Sequence, residues 1–213
     1  KKYIKNYISW PIYLNDSVDI VEWKASYINV ADMIEVDPSN DIYDLISCRE
    51  KFLPPANPSN NYVWSRCLTS MREIMINDCD IRICAGGKML GYKGRLPGVL
   101  EEIIIAINRP IFLLGGFGGV TKKVCDLIET GKVPEELTLD WQIRNNKNYK
   151  KLVEMYKSKG LSELVDYNNL LKSINIKSLS NGLDEDENLR LFSTPFADEA
   201  IHLILKGIKK LQN

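Results

Sequence analysis

Apolar residues along the chain alternate between short continuous runs and stretches with helical spacing. Ile111–Leu114 is apolar at every position, which is typical of a strand buried on both faces of a parallel sheet. A second strand is predicted over residues 80–85, and glycines connect the two strands to helices predicted over residues 97–106 and 120–129. This repeated order of strand, glycine loop and helix predicts an α/β, Rossmann-like fold with a doubly wound, mostly parallel sheet.

The regions on either side of this centre carry less regular patterns. Residues 52–60 hold three prolines and are predicted to form an ordered surface loop. The acidic residues 184–187 are predicted to begin a solvated helix. The other predicted elements are, in chain order, a strand over residues 7–14, a helix over 17–31, a strand over 33–36, helices over 62–77, 149–156 and 161–174, an edge strand over 189–192 and an amphipathic helix over 196–211.

Length and charge restrict the domain organisation and the partners. The 213 residues are 45% hydrophobic, which is enough for one ordinary core, so residues 1–213 are predicted to form a single domain. Lysine plus arginine and aspartate plus glutamate number 28 each, so no overall positive field attracts nucleic acid or an anionic membrane surface. No apolar run approaches the roughly 20 residues that cross a bilayer. We therefore expect neither a nucleic-acid partner nor a membrane partner.

The start of the chain and its cysteines indicate the compartment. The charged start does not open a signal peptide. The five cysteines are odd in number and lack the close spacing of zinc sites and thioredoxin-type motifs. We expect buried, reduced thiols, no metal and a cytoplasmic location. Because the chain begins with Lys1 and enters a strand almost at once, it is predicted to be a fragment of a longer protein.

Two glycine-rich loops are the strongest candidate chemistry. Gly86-Gly87 and the run 115–119 follow the two central strands. Where a parallel strand leads into a helix, backbone amides and the positive end of the helix dipole point toward the crevice at the carboxyl ends of the strands. Glycine lets a phosphate approach the main chain because it has no Cβ. Alanine at Gly116 or Gly118 is therefore expected to abolish binding while the domain stays folded.

Basic residues are concentrated between the two loops. Lys88, Lys93 and Arg95 lie in a segment without acidic residues, in a chain without net charge, which indicates an anionic ligand. Pro97 suits the first turn of a helix, and Gly98 leaves the N-terminus of that helix open. A single Gly-Gly pair is more often a plain turn. Together with the cations and the strand–helix alternation, however, the loops predict a site for a phosphorylated, nucleotide-like molecule.

Three stretches of this region resemble the SLOG superfamily, which is named for the Smf/DprA and Lonely Guy proteins and has relatives among TRPM-type channels. They are residues 82–88 (Arg-Ile-Cys-Ala-Gly-Gly-Lys), residues 91–102 (Gly-Tyr-Lys-Gly-Arg-Leu-Pro-Gly-Val-Leu-Glu-Glu) and residues 112–119 (Phe-Leu-Leu-Gly-Gly-Phe-Gly-Gly). Residues 62–72 and 191–194 also resemble the branch found in bacterial antiphage effectors of the Thoeris type. The resemblance covers roughly residues 7–210 and implies a Rossmann-like fold whose glycine loops bind a nucleotide or a nucleotide derivative.

One departure from the sequence pattern of the family bears on whether the chain only binds its nucleotide or also cleaves it. In the Lonely Guy enzymes, a Pro-Gly-Gly-x-Gly-Thr loop runs into a helix with a glutamate four residues after the last glycine. Glu102 stands at that spacing after Gly98, but two glycines of the loop are missing and Val99 replaces the threonine. The departure favours sensing over turnover and assigns no catalytic residue. Glu102 remains the alternative catalytic carboxylate, or a hydrogen-bond partner for a ribose hydroxyl.

The roles of several aromatic and arginine side chains stay open. Phe117 is the best candidate to stack on a base, because it interrupts a glycine run. Trp64 is expected to be structural, whereas Trp10 is undecided. Arg66 and Arg72 are candidates for phosphate contacts, although ion-paired arginines are more common.

The predicted function is recognition of a nucleotide-derived second messenger, such as a cyclic ADP-ribose isomer, in the regulation of an antiphage effector. The resemblance implies a homo-oligomer with a fused or separate effector domain and without a cofactor. The alternative is an N-glycosidase similar to the Lonely Guy phosphoribohydrolases. A plain oligomerisation domain would leave the three loop cations to repel one another without a ligand. The residues assigned to ligand binding are Gly86, Gly87, Lys88, Lys93, Arg95, Gly98, Glu102, Gly115, Gly116, Phe117 and Gly118.

Overall fold

The computed structural model describes residues 3–212, apart from the side chain of Val18. Its internal contacts group the chain into two compact units, Lys1–Met75 and Ile76–Asn213. Each unit contains a pair of parallel strands with helices between and after them. The α/β, Rossmann-like fold class is confirmed. The prediction that residues 1–213 form one domain stays a prediction.

The first unit opens with two parallel strands joined by a helix. Strand β1 (Ile4–Ser9) pairs in parallel with β2 (Ala31–Val36), and α1 (Val18–Tyr27) connects them. The strand predicted over residues 7–14 is wrong at its C-terminal end, where Ile12–Leu14 forms a short 3-10 helix. Beyond the paired residues, the Trp10 amide still donates to the Val36 carbonyl at 2.8 Å.

Helix α2 (Pro58–Asn77) follows the proline-rich loop and starts four residues before its predicted beginning. Proline suits a first helical turn because the N–H that it lacks has no partner there. Trp64 is buried as expected, and its indole Nε1 donates to the Leu53 carbonyl at 2.6 Å. The undecided Trp10 is also buried, and its Nε1 donates to the Arg49 carbonyl. Arg66 forms an ion pair with Asp41 at 2.9 Å, the more common role for an arginine.

The second unit contains the glycine loops and the second pair of strands. Strand β3 (Arg82–Ala85) pairs in parallel with β4 (Ile111–Leu114), in a register that sets Ala85 opposite Leu114. Helix α3 (Gly98–Ile105) lies between the strands in sequence, and α4 (Gly119–Thr130) follows β4. The strand–loop–helix order predicted for this region is confirmed.

The C-terminal part of the second unit is helical. Its helices are α5 (Leu139–Asn145), α6 (Tyr149–Ser158), α7 (Asn168–Ser173), α8 (Glu185–Ser193) and α9 (Ala197–Leu211). The helix predicted over residues 161–174 is wrong, because only a 3-10 turn and α7 form there. Val165 and Tyr167 are both buried. A continuous helix would turn residues two positions apart toward opposite faces.

The edge strand predicted over residues 189–192 is also wrong, since these residues belong to α8. The helix begins with a capping box in which the Glu187 amide donates to Asp184 and the Asp184 amide donates to Glu187. Leu191 then packs in a core cluster with Phe112 of β4 and with Ala200, Leu203 and Ile204 of α9.

Glu187 differs from its acidic neighbours at the start of α8. The stretch begins a helix, as predicted, but the Glu187 side chain is buried and pairs with two lysines of α9. Lys206 is one partner, and the Lys210 Nζ lies 2.9 Å from the Glu187 carboxylate. Hydrogen bonds from Lys206, from the Asp184 amide and from Lys210 lower the pKa of Glu187 to about 2. These two ion pairs hold α8 and α9 together.

The second glycine run packs against the end of α8. A Cβ at Gly115 would clash with the Phe192 carbonyl oxygen, and a Cβ at Gly116 would clash with that of Thr194. Both clashes are with backbone atoms, which cannot move as a side chain tip can. We therefore expect alanine at Gly116 to destabilise the fold through this contact.

We expect Glu187→Gln to destabilise the protein in a pH-dependent way. The folded-state pKa lies below the ordinary value of 4.5, so the carboxylate contributes stability above that value and loses it as the pH falls toward 2. Urea unfolding of the wild type and the variant should therefore differ at neutral pH and converge near pH 2. Glu185→Gln, an exposed change in the same helical turn, should show no such difference. A gap that stays constant with pH would contradict the role of these ion pairs.

We expect Gly116→Ala to lower the free energy of unfolding by about 1–3 kcal/mol, because the added methyl group overpacks a backbone contact. Phe117→Ala in the same loop removes a side chain that is 47% exposed, and should change stability by less than about 0.5 kcal/mol. Thermal unfolding followed by circular dichroism compares the two variants. Equal melting temperatures would show that the loop does not press on α8.

Candidate functional site

The candidate site lies at the carboxyl ends of β3 and β4. The loop after β3 begins with Gly86 and Gly87, both at positive φ, and the loop after β4 contains Gly115–Phe117 in a 3-10 turn. Because the strands are parallel neighbours, both loops leave the same edge of the sheet. This is the edge at which ligands bind in α/β folds.

The two loops are bonded to each other. The Val120 amide donates to the Gly87 carbonyl at 3.1 Å, and the Thr121 amide donates to the Gly86 carbonyl at 2.9 Å. The Thr121 hydroxyl donates to the same Gly86 oxygen. A Cβ at Gly119 would lie 2.5 Å from the Gly87 oxygen, so only glycine permits this approach. Two amides at the start of α4 are therefore committed to the first loop and are not open to a phosphate.

The start of α3 adjoins the same loop. A Cβ at Gly87 would lie 2.8 Å from the Val99 side chain, so the loop packs directly on the first turn of α3. Gly98 is the first residue of that helix, and the bond from the Glu101 amide to the Pro97 carbonyl closes its first turn. The amides before Glu101 have no partner within the helix, and the positive end of the helix dipole lies there. This turn is the part of the site best suited to an anion.

The loop cations divide into two kinds. Lys88 and Lys93 are exposed. Arg95 is buried, and its Nε lies 2.7 Å from Glu101 Oε1 in an ion pair. Its Nη1 also donates to the Leu164 carbonyl at 2.7 Å. Since the guanidinium is held by these internal partners, we leave Arg95 out of the proposed ligand contacts.

Helices α5 and α6 hold the cationic loop in place. The Gly91 amide donates to Asn146 Oδ1 at 2.9 Å, and the Tyr92 hydroxyl donates to Gln142 Oε1 at 2.7 Å. Tyr92 also meets Tyr149 edge-on, with ring centroids 5.5 Å apart. Burial raises the pKa of Tyr92, so this hydroxyl stays a neutral donor. Because these partners lie 50 or more residues further along the chain, no local sequence pattern indicates them.

Glu102 lies on α3 within an ion pair. Its carboxylate pairs with the Arg82 guanidinium at the start of β3, and both side chains are mostly buried. An ionised carboxylate accepts hydrogen bonds and donates none. Glu102 is therefore placed to fix the strand to the helix, and its charge is already compensated by Arg82.

The glycines of the second loop serve two purposes. Gly115 and Gly116 pack against the end of α8, as described above. Gly118 has φ +74°, and no atom lies within 4 Å of the point that a Cβ would occupy there. The neighbouring Phe117 ring is 47% exposed. Gly115 and Gly116 therefore have a structural role in the contact with α8, although Gly116, like Phe117, is exposed to solvent.

The structure brings most of the predicted site residues to one edge of the second unit, although their role in binding stays a prediction. Gly86 and Gly87 lie beside the first turn of α3, which begins at Gly98, and Lys88 directly follows Gly87. Sequence reasoning missed Thr121, whose hydroxyl joins the two loops. Its position two residues after the glycine run was the available signal.

In the described part of the chain, the cysteines and the potential metal ligands do not indicate a second functional site. Burial raises the pKa of the Cys67 thiol to about 12 and that of Cys84 to about 11, so neither is an activated nucleophile. Cys48 and Cys79 are only half-buried, contrary to expectation.

Within residues 3–212, no group of three or more histidine, cysteine, aspartate or glutamate side chains is arranged to hold a metal ion. No helix there has the length and apolar character to cross a membrane.

Comparison with known proteins identifies a family for this chain. Searches of curated proteins and of solved structures find no match. A family model described as SLOG cluster2 matches residues 1–191, which include both glycine loops, the cationic segment and most of α8. Membership of this family is consistent with a nucleotide-related function. The chain belongs to the SLOG cluster2 family.

Proposed function

We propose that this chain is a sensor that binds a phosphorylated, nucleotide-derived second messenger at the edge formed by the two glycine loops. The observation that carries the proposal is the convergence of the Gly86-Gly87 turn with the open first turn of α3. A glycine loop beside a helix N-terminus gives a phosphate both close backbone approach and a favourable dipole.

The charge distribution supports an anionic ligand. Lys88 directly follows the glycine pair and is exposed, and Lys93 is exposed in the same loop. The nearby carboxylates of Glu101 and Glu102 are neutralised by Arg95 and Arg82. The net charge that this edge offers to a ligand is therefore positive.

The rest of the site supports a nucleotide in particular. Phe117 exposes an aromatic ring beside Gly118 on the second glycine loop. The start of the helix after this loop is hydrogen-bonded to the Gly86-Gly87 loop. An exposed aromatic ring on a glycine loop suits stacking on a base. We propose a cyclic ADP-ribose isomer as a representative ligand, and regulation of an antiphage effector as the setting, on the basis of the resemblance to such domains.

Lys88→Ala tests the anion site. A charge-assisted hydrogen bond contributes about 1.5–3 kcal/mol, so the variant should bind a cyclic ADP-ribose isomer or ADP-ribose roughly ten- to a hundredfold more weakly. Titration calorimetry measures the affinity. Lys150→Ala, an exposed lysine of α6, is the matched control and should leave the affinity unchanged. Equal affinities for both variants would remove Lys88 from the site.

Sensing and turnover are separated by incubating the nucleotide with the protein and analysing it by chromatography. We expect the ligand to be recovered intact, because Glu102 is held by Arg82 and no hydroxyl replaces the missing threonine at Val99. Release of free base or ribose phosphate that disappears with Glu102→Gln would establish the N-glycosidase alternative. Because Glu102→Gln also removes an ion pair, its melting temperature has to be measured alongside.

A further inference from the structure

A second exposed phenylalanine is carried on backbone that adjoins the loop of Phe117. Phe196 is 69% exposed and immediately precedes α9. The two residues before it lie against the second glycine loop, because a Cβ at Gly116 would clash with the Thr194 carbonyl and lie 3.1 Å from the Pro195 nitrogen. This contact is one residue before Phe117 on one segment and one residue before Phe196 on the other. The two exposed rings are therefore carried by adjoining segments of backbone.

The fold makes little use of either ring. Within residues 3–212, neither Phe117 nor Phe196 takes part in a contact between aromatic rings or in a cation–π contact. The core cluster of α9 is formed by other residues of that helix. A single apolar side chain on a surface needs no explanation. Two exposed rings on adjoining segments, at the edge where the proposed site lies, form an aromatic surface that is open to a ligand.

Hydrogen bonds fix the backbone that carries Phe196. Its amide donates to the Thr194 hydroxyl at 3.2 Å, and its carbonyl accepts from the Ala200 amide at 3.1 Å. The Thr194 hydroxyl in turn donates to the Glu199 carboxylate at 2.6 Å. A ring on a fixed backbone loses little conformational freedom when a ligand packs against it. Phe196 therefore offers a stacking surface at a low entropic cost.

The contacts along this edge follow one order. The first turn of α3 packs on Gly87, and Gly119 packs on the same glycine loop. Three residues before Gly119, Gly116 packs on residues 194–195, which lead to Phe196. The proposed anion site thus lies at one end of this series of contacts, and the two phenylalanines lie toward the other. A nucleotide has a matching arrangement, since its phosphates and its base are joined to different positions of the sugar.

We propose that Phe196 joins Phe117 in binding the base of the ligand, so that the site requires an aromatic base and does not accept a sugar phosphate equally well. This inference rests on the function proposed above and makes the base a required part of the ligand. Stacking on an aromatic ring tolerates any base, because every base has a π-face. The two phenylalanines therefore select for the presence of a base, and the glycine loop and Lys88 serve the phosphates.

Titration calorimetry with two probes tests the role of Phe196. ADP-ribose carries a base and phosphates, whereas pyrophosphate carries phosphates alone. Phe196→Ala should weaken the binding of ADP-ribose at least about fivefold, because stacking on the ring is lost, and should leave the binding of pyrophosphate unchanged. Phe196→Tyr keeps an aromatic ring and should keep the affinity. Leu205→Ala, at an exposed apolar residue further along α9, is the matched control and should change neither affinity.

The outcomes separate this inference from the function on which it rests. A wild-type protein that binds neither probe would contradict the proposed function and this inference together. Binding of ADP-ribose that Lys88→Ala weakens and Phe196→Ala leaves unchanged would overturn this inference alone. Equal losses for both probes in Phe196→Ala would assign the ring to the fold and also overturn it. Melting temperatures of the Phe196 variants should match that of the wild type, because the ring is exposed.

Discussion

The bonds between the two glycine loops are the constraint on which the site depends. The amides of Val120 and Thr121 reach the carbonyls of Gly87 and Gly86, and this joins the end of β3 to the start of α4. The approach requires a glycine at position 119, where any Cβ would meet the Gly87 oxygen. Glycine is therefore needed here first for contact between two backbones. The proposed access of a ligand to this backbone would follow from the same absence of a Cβ.

Because of these bonds, the two helices that begin near the carboxyl ends of β3 and β4 have different roles. Two of the first amides of α4 donate to the carbonyls of the Gly86-Gly87 loop. The first turn of α3 instead lies beside Gly87, and its first amides have no partner within the helix. Arg95 stabilises α3 from within, because it neutralises the fully buried Glu101 and donates to the Leu164 carbonyl. Removing either charge would break a buried ion pair, which is strongly unfavourable. The C-terminal part of the second unit is thereby connected to the helix that begins beside the proposed site.

The central strands and helices could be predicted because their patterns are local. An unbroken apolar run and the glycines after it suffice to place β4 and α4. The edge strand over residues 189–192 failed because four mostly apolar residues fit a strand and a helix equally well, and the capping box of Asp184 and Glu187 was the deciding signal. Arg95 was assigned to the ligand because a linear sequence shows a cluster of cations. It does not show that one of these cations, Arg95, forms an ion pair with Glu101. The Asn146 and Gln142 contacts arise only from tertiary structure.

The pairing of carboxylates with arginines bears on the choice between sensing and catalysis. Hydrolysis of an N-glycosidic bond needs a carboxylate that attacks the sugar or exchanges a proton with it. Glu101 is fully buried against Arg95, and Glu102 is engaged by Arg82, so each would have to give up an ion pair before it reached a substrate. A binding site has no such requirement. It gains instead, because neutralised glutamates no longer repel a phosphate and the exposed Lys88 is left to attract one. The two ion pairs therefore favour the proposed role as a receptor over the alternative role as a catalyst.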